Sequence, residues 1–480
     1  MAVAQLGGSK GTSSNEATGP ATVAAAQQTL STVNTQSSST TPQQAGQGDY
    51  RGSLIEGKST GTVLDLSLDD AMARGLRTNL GLILQGTAEK TAAGQRLQSL
   101  QSLLPTVTGT ASYTVQQINL AAYGLNFPGF NPIVGPFQVF DFRASLSQSL
   151  VNVPSIERYV ASKHNFQAAK LTAEDARSLV VLTVGNAYLL CIADVSRIEA
   201  VQGELNSSKV SLDQATAAHN AGTSPKLDVL RAQVDYQNQQ QQLISAQNNL
   251  SKDKLALARV IGLPLDQEFR TTDLVPYVAL DHVDPNTAYT QALAARKDLK
   301  ASAEQVKSAN SQKTAAWAEQ LPEAHFSGDF GDIGATVGHS HGTYTATGEI
   351  TAPILQIAKT RGDILVAEAA QEQAKSRLSD RAQQVNADVR DAILDIEAAA
   401  KLVEATKSNV DLANEALLES QDRFRSGVSD NLAVSQAQAQ TSQANDQYIS
   451  ALYQHNIAKL SLARALGIAD SSYKTYLGGK

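Results

Sequence analysis

The chain is expected to be mainly α-helical with a small β part: long antiparallel coiled-coil helices forming an α-helical barrel, with four strands at one end, written as two similar halves. Three observations predict this. "GTSPKLDVLRAQ" from Gly222 and "GVSDNLAVSQAQ" from Gly427 keep Gly, Ser, Leu, Val and a closing Ala-Gln in register 205 positions apart, an internal duplication. Upstream of the first turn, Val184, Tyr188, Cys191, Val195, Ile198, Leu205 and Leu212 carry the four-three and sevenfold spacing of a coiled-coil seam; 205 positions later stand Val389, Ile393, Ile396, Ala400, Val403, Val410 and Leu417, all apolar. Four short segments alternate apolar and polar residues with period two.

Composition narrows the function classes. The 480 residues include 5% aromatics, one Trp and one Cys, thin for bulky globular cores, while abundant alanine suits close-packed helices. A net charge of -7 argues against nucleic acid, because phosphate binding needs a basic face. Cys191, in "AYLLCIADV", reads as a small core residue and has no partner for a disulfide within the chain. The most apolar stretch, "LVVLTVGNAYLLCIA" from Leu179, is interrupted by Thr183, Gly185 and Asn186, so it reads as a core helix.

Residues 1–60 are rich in Ser, Thr, Gln, Gly and Ala and are expected to form a disordered polar tail; "AVAQ" at Ala2 resembles the small-residue end of a removed signal peptide. Residues 61–265 form the first expected repeat and begin at "LSLDDAMARGLRTN", where Ser67 can cap a helix whose first turn holds Asp69 and Asp70. A helix over about Gly81–Leu104 leads to Pro105 and a strand near 106–117, with Val107, Gly109, Ala111, Tyr113 and Val115 against Thr and Ser. "GLNFPGFNPIVGP" is loop, and a second strand near 138–150 sets Phe140, Phe142, Ala144 and Leu146 opposite Val139, Asp141, Arg143 and Ser145. A long helix then runs from about Ile156 to Ala221, roughly 100 Å at 1.5 Å per residue. Pro225–Ile261 forms a shorter one that, stacked end to end with the first, matches it in length.

A connector, 266–286, precedes the second repeat, 287–468. There the corresponding helices are expected over Asp298–Leu321, Ile357–Ser426 and Asp430–Leu466, with strands near 323–332 and 341–352. Residues 469–480 are a C-terminal tail. Four strands cannot close a transmembrane barrel, whose smallest members have about eight; if these strands cross a bilayer, several chains share one barrel, eight strands from two chains or twelve from three.

The chain resembles the TolC-like outer membrane factor family, the outer membrane efflux proteins, from Leu66 to about Gly467. The resemblance rests on "LSLDDAMARGLRTN", the Leu-Pro pairs at Leu104 and Leu321, "AARKDLKA", both Gly-x-Ser-x-x-Leu turns, and the endings "LALARVIG" and "LSLARALG". Leu80 and Lys297 stand where the family often has Pro. The resemblance implies a homotrimer with a twelve-stranded barrel in outer membrane lipid and a helical tunnel in the periplasm. It further implies an exit duct of a tripartite efflux pump or type I secretion system, served by a periplasmic adaptor (membrane fusion protein) and an inner-membrane pump of RND, MFS or ABC type. No cofactor and no catalysis by the chain itself are expected.

The turns are read as capped helical hairpins: Gly222 and Gly427 in the left-handed conformation, Ser224 and Ser429 as N-caps, Pro225 at the first helical position, Asp430 favoured by the helix dipole. By resemblance they form the periplasmic tip that the adaptor grips, through Gly222, Thr223, Ser224, Pro225, Leu227, Gly427, Val428, Ser429, Asp430 and Leu432. Asp228 matches an acidic position of the aperture, whereas Ala433 and Gln436 replace acids found in some relatives. "GHSHG", with His339 and His341, and nearby His325 lack acidic or Cys ligands at metal-binding spacing and read as a polar loop. Paired carboxylates such as Asp69 and Asp70 read as first-turn charges, and no phosphate-cradling loop or nucleophile motif occurs. The rival reading is a soluble or surface coiled-coil structural protein whose strands form a small cap without a membrane barrel.

Overall fold

Two helices of unusual length set the dimensions of the molecule. The computed structural model describes residues 50–125, 128–273, 277–280 and 283–476; the signal-peptide remnant expected at Ala2 and the tail up to residue 49 lie outside the described residues. In chain order the elements are β1 (Leu64–Leu66), α1 (Leu68–Thr78), α2 (Leu80–Gln101), β2 (Thr106–Asn119), β3 (Ile133–Val151), α3 (Val153–Asn220), α4 (Lys226–Ile261) and β4 (Phe269–Thr271). There follow α5 (Pro285–Ala295), α6 (Lys297–Ala318), β5 (Glu323–Gly334), β6 (Ser340–Thr351), α7 (Ile357–Arg425), α8 (Asn431–Ala465) and α9 (Ala469–Tyr476). The long helices α3 and α7 have 68 and 69 residues, roughly 100 Å each at 1.5 Å per residue. α2 and α4 both pack along α3, and α6 and α8 both pack along α7, so each long helix is matched by a short pair. α3 also contacts α6 and α8, joining the halves.

The duplication has two offsets. Leu80 and Lys297, the first residues of α2 and α6, lie 217 positions apart, whereas the turns lie 205 apart. The stretch from the end of α2 to the first turn, which holds the first β-hairpin, is therefore 12 residues longer than that from the end of α6 to the second turn. Beyond both hairpins the repeats run in step to the C-terminal endings.

Packing explains the seam and refines it. On α7, Val385, Val389, Ala392, Ile396, Ala399, Val403 and Thr406 are buried at alternating four and three, a coiled-coil line. On α3, Val184, Tyr188 and Cys191 are fully buried, but Val195, Ile198, Leu205 and Leu212 are only half-buried. The buried line continues instead through Asp194, Val201, Ser208 and Ala215, spaced seven apart. Small side chains there let α3 approach α4 and α8 closely. α3 includes a window apolar enough to cross a membrane by composition, yet its Val180, Val181 and Val184 are fully buried against α1 and α4, as in a core helix.

The main core gathers at mid-length around those residues, with Leu66, Met72, Leu257, Ile261 and Phe269; a second one joins Ala292, Val389 and Ile393 to Leu462. The two glycines that close the sequence endings serve these cores. Gly262 (φ +71°) and Gly467 (φ +75°) terminate α4 and α8 in the left-handed region, and a Cβ on Gly262 would meet Leu54 O at 2.5 Å. On Gly467 it would meet Arg296 N at 2.9 Å. Each glycine thus lets a helix end press against the break between two others, α1/α2 or α5/α6.

Those breaks are fixed without proline. Asn79, fully buried, accepts from Gly81 N at 3.0 Å and donates to Tyr50 O at 2.7 Å. At the second break Arg296, 5% exposed, holds Asp298 through Nε (3.0 Å) and a terminal nitrogen (2.6 Å), and reaches Asp388 of α7 at 2.6 Å.

Several elements depart from expectation. Residues 50–60, assigned to the tail by composition, are anchored by backbone bonds from Leu54 N to Thr78 O and from Glu56 N to Gly262 O, both 2.9 Å. Within the connector, β4 pairs in parallel with β1, Leu64 opposite Phe269, and Tyr188 of α3 ties the pair by donating to Leu66 O at 2.8 Å and Asp273 Oδ2 at 2.7 Å. The C-terminal stretch expected as tail contains α9, docked on α8 with Ala469 buried. Ser67 caps α1 as expected, accepting from Asp70 N at 3.1 Å.

Candidate functional site

The four long strands form one antiparallel sheet in the order β2-β3-β5-β6. Directly opposed residues share a face, and the register aligns most of the apolar positions, with Asp332 opposite Phe142 and Gln148 opposite Phe326 as polar exceptions. Gly109 pairs with Ala144, Ala144 with Phe330 and Phe330 with Tyr344; Val107 pairs with Leu146, Leu146 with Gly328 and Gly328 with Ala346. Among the described residues no layer covers this face: Tyr344 is 80% exposed, Ile350 78% and Phe330 67%. Tyr113 and Phe140 meet at a tilt of 43° with ring centroids 4.7 Å apart, and with Phe142, Phe330 and Tyr344 they cluster around the middle of the strands on this face. The opposite face carries Thr108, Thr110, Ser112, Ser145, Ser147, Thr343, Thr345 and Thr347, with one ionic cluster at Asp141, Arg143 and Asp329. The strands have 14, 19, 12 and 12 residues, enough to cross a bilayer, which needs about 9–11. Among the described residues both outer strands, β2 and β6, present unpaired edges.

At the far ends of α3 and α7 lie the two turns. Each ends its helix with the same pair of backbone bonds: Gly222 N to His219 O (2.9 Å) with Thr223 N to Ala218 O (2.9 Å), and Gly427 N to Phe424 O (3.0 Å) with Val428 N to Arg423 O (3.0 Å). This is the Schellman arrangement, which requires a left-handed residue; Gly222 and Gly427 supply it at φ +75° and +71°. The caps that follow differ from expectation. Pro225, not Ser224, occupies the N-cap of α4, extended at ψ 152°, and Ser224 Oγ instead donates to Asp228 Oδ2 at 2.6 Å, because the carboxylate in the first turn reaches back to the hydroxyl. In the second turn Asp430 is the N-cap, without a side-chain bond, and Ser429 Oγ donates to Asp430 O at 3.3 Å.

Asp228 lies within its turn, 5% exposed, with Arg231 3.8 Å away. Asn431 Nδ2 reaches Asp228 O at 3.5 Å, bringing the two turns side by side. Around them Leu227 (52%), Val428 (71%) and Leu432 (42%) leave apolar side chains exposed. Further along the bundle α3, α4, α7 and α8 enclose a groove of about 1080 Å³ whose lining includes the amides Gln242, Asn409, Gln438 and Gln443. Periodicity did not point to this groove, because its residues belong to four separate helices.

Two of the three histidines singled out in the sequence, His339 and His325, bond hydroxyls. His339 Nδ1 lies 3.0 Å from Thr336 Oγ1 and His325 Nε2 lies 3.4 Å from Ser147 Oγ. Among the described residues no group of three or more His, Cys, Asp or Glu is arranged to hold a metal.

A two-faced sheet on a roughly 100 Å helical shaft defines one stave of a membrane channel-tunnel. The outer membrane efflux protein family model matches residues 84–263 and 288–468, one match per repeat, and the chain belongs to that family of outer membrane channel proteins. Its sequence is 23% identical over 305 residues to the pyoverdine export outer membrane protein OpmQ of Pseudomonas putida and 24% identical over 318 residues to outer membrane protein OprJ of Pseudomonas aeruginosa. These alignments cover 63% and 64% of the chain and span 65% of each relative, just under two thirds. Among solved structures it is similar to a membrane protein from Pseudomonas aeruginosa (TM-score 0.75, 20% identity, covering 86% of this chain and 94% of that one). It is also similar to VceC of Vibrio cholerae (0.73, 18%, covering 83% and 96%) and to the CmeC channel of Campylobacter jejuni (0.74, 17%, covering 88% and 92%). The fold is theirs.

Proposed function

We propose that the protein is the outer membrane exit duct of a tripartite efflux system, a passive conduit that performs no chemistry. One observation carries this reading: a sheet apolar on one face, polar on the other, with both edges unpaired. In lipid an unpaired edge is prohibitively costly, since each bare N–H or C=O lacks a partner. β2 and β6 run in opposite directions, so β2 of one copy can pair antiparallel with β6 of the next. Repeating that head-to-tail contact by rotation closes a ring. Three copies form twelve strands with the Thr-rich face inward, and their helices continue the lumen through the periplasm. The export role named for OpmQ agrees with this direction of transport.

The test is direct. Purified full-length protein is expected to run as a heat-sensitive trimer and to conduct in planar lipid bilayers. A water-soluble monomer that never conducts would instead favour the coiled-coil structural reading.

At the opposite end, the paired turns form the docking tip for a periplasmic adaptor, which links the duct to an inner-membrane pump of RND, MFS or ABC type. Exposed Leu227, Val428 and Leu432 supply the apolar anchors, and Gly222, Thr223, Ser224, Pro225, Gly427, Ser429 and Asp430 hold the shape that presents them. Asp228 supplies an aperture charge from within the first turn, tempered by Arg231. Val428→Glu is expected to weaken adaptor binding by about 1–2 kcal/mol, the loss of one anchor, with conductance and heat stability of the trimer unchanged. Unaltered pull-down of the adaptor would refute the assignment.

A further inference from the structure

We infer that Asp141, Arg143 and Asp329 form a charged belt inside the barrel that selects permeating solutes by charge, favouring small cations over anions; the inference rests on the exit-duct reading. The three side chains stand on the polar face near the middle of the sheet, where β3 and β5 are paired. Arg143 holds Asp141 from both Nε and a terminal nitrogen at 3.2 Å and reaches across to Asp329 through its other terminal nitrogen. Gly331, directly opposite Arg143, lets β5 lie close against β3 at this level, since a Cβ there would fall 2.2 Å from the backbone Phe142 O. The cluster is about a quarter exposed at each member (25%, 27% and 23%), so its charges shield one another on one side and remain open on the other.

Charge count separates this from a simple cross-strand staple. A staple needs one carboxylate for one guanidinium, and a neutral pair would leave the lumen uncharged. Here the second carboxylate leaves a net single negative charge per chain, on a face otherwise coated nearby with Thr110, Ser112, Thr343 and Thr345. Arg143 is the only Lys or Arg on β2, β3, β5 or β6, so no other strand cation balances it. Closing a ring of identical chains repeats the excess around one level of the pore. Low-dielectric walls focus the field of such a ring onto the pathway, and side chains on the lumen face of membrane barrels tune selectivity in this way.

The experiment is the reversal potential of the full-length protein in planar bilayers under a potassium chloride gradient. The native channel is expected to prefer potassium; Asp141→Asn with Asp329→Asn moves the reversal potential toward zero, and Arg143→Gln moves it further toward the potassium limit. Thr345→Lys sets an ammonium across from Asp329 without breaking any pair, and is expected to shift the potential toward chloride even if the pair-breaking variants fail to assemble. Reversal potentials that stay at the native value in channels of normal conductance overturn the belt and leave the duct standing. A native trimer that never conducts overturns the duct itself, and the belt with it.

Discussion

Arg296→Ala is expected to destabilise the protein by about 3–5 kcal/mol, the cost of breaking a buried ion pair from one side. The side chain is 5% exposed, and removing it strands Asp298 in the interior of the α5/α6 break and frees Asp388 of α7. Burial alone would lower the arginine's pKa; hydrogen bonds and charge from Asp298 and Asp388 outweigh it, so the guanidinium stays charged. Burial likewise pushes the Asp298 carboxyl up, but the Arg296 guanidinium and the Leu299 N–H hold it below the usual carboxylate range. A carboxyl depressed in the folded state stabilises above its unfolded value of about 3.9 and loses that contribution as pH falls through the folded value. The gap between native and Arg296→Ala should therefore be full at neutral pH and narrow below about pH 4. Thermal loss of helical circular dichroism across that range measures it. A gap that is constant with pH would mean that packing, not the ion pair, carries the effect. Arg296→Met with Asp298→Asn should recover part of the loss, since it removes both charges while keeping much of the volume.

Phe330→Arg is expected to cost about 2–4 kcal/mol, the penalty for an arginine that faces lipid near the bilayer midplane, since Phe330 stands mid-strand. Phe330 is 67% exposed on the apolar face, between Ala144 and Tyr344 in the register. The matched control is Thr347→Arg, on the polar face of β6 opposite Ser327. One residue of alternation separates a lipid-facing position from a lumen-facing one, so the two arginines should behave oppositely. The readout is the fraction of heat-sensitive trimer recovered from the outer membrane: sharply reduced for Phe330→Arg, near native for Thr347→Arg. Equal recovery of both variants would remove the assignment of the apolar face to lipid.

Local pattern made most of the architecture legible. The end of α4 at Ile261 and the start of α7 at Ile357 coincide with the sequence reading, and the other main helix ends fall within three residues of it, because periodicity and glycine caps are local signals. The strands were visible for the same reason, although β3 begins at Ile133, inside a stretch whose Gly and Pro content suggested only loop. The turns were found by their duplication, but the cap residues were misread by one position. Whether Ser224 bonds a backbone N–H or Asp228 depends on how the extended Pro225 sets the entry to α4, which composition does not encode.

Nonlocal pairings were not legible. β1 and β4 are three residues each and pair across 205 positions, too short to show alternation and too far apart to suggest a partner. Arg296 stood in the sequence only as part of "AARKDLKA"; its value comes from Asp388, brought to it by α7. Asn79 likewise became a buried cap only because Tyr50 lies over it.

By itself the sequence determined the repeat, the helices, the alternating strands and the glycines of the turns, since each is a property of neighbouring residues and backbone sterics. Tertiary structure alone decided which strand faces align into one apolar surface, which buried charges find partners and where the two turns meet. Those outcomes depend on contacts closed by chain segments up to hundreds of residues apart, and no local pattern carries that information.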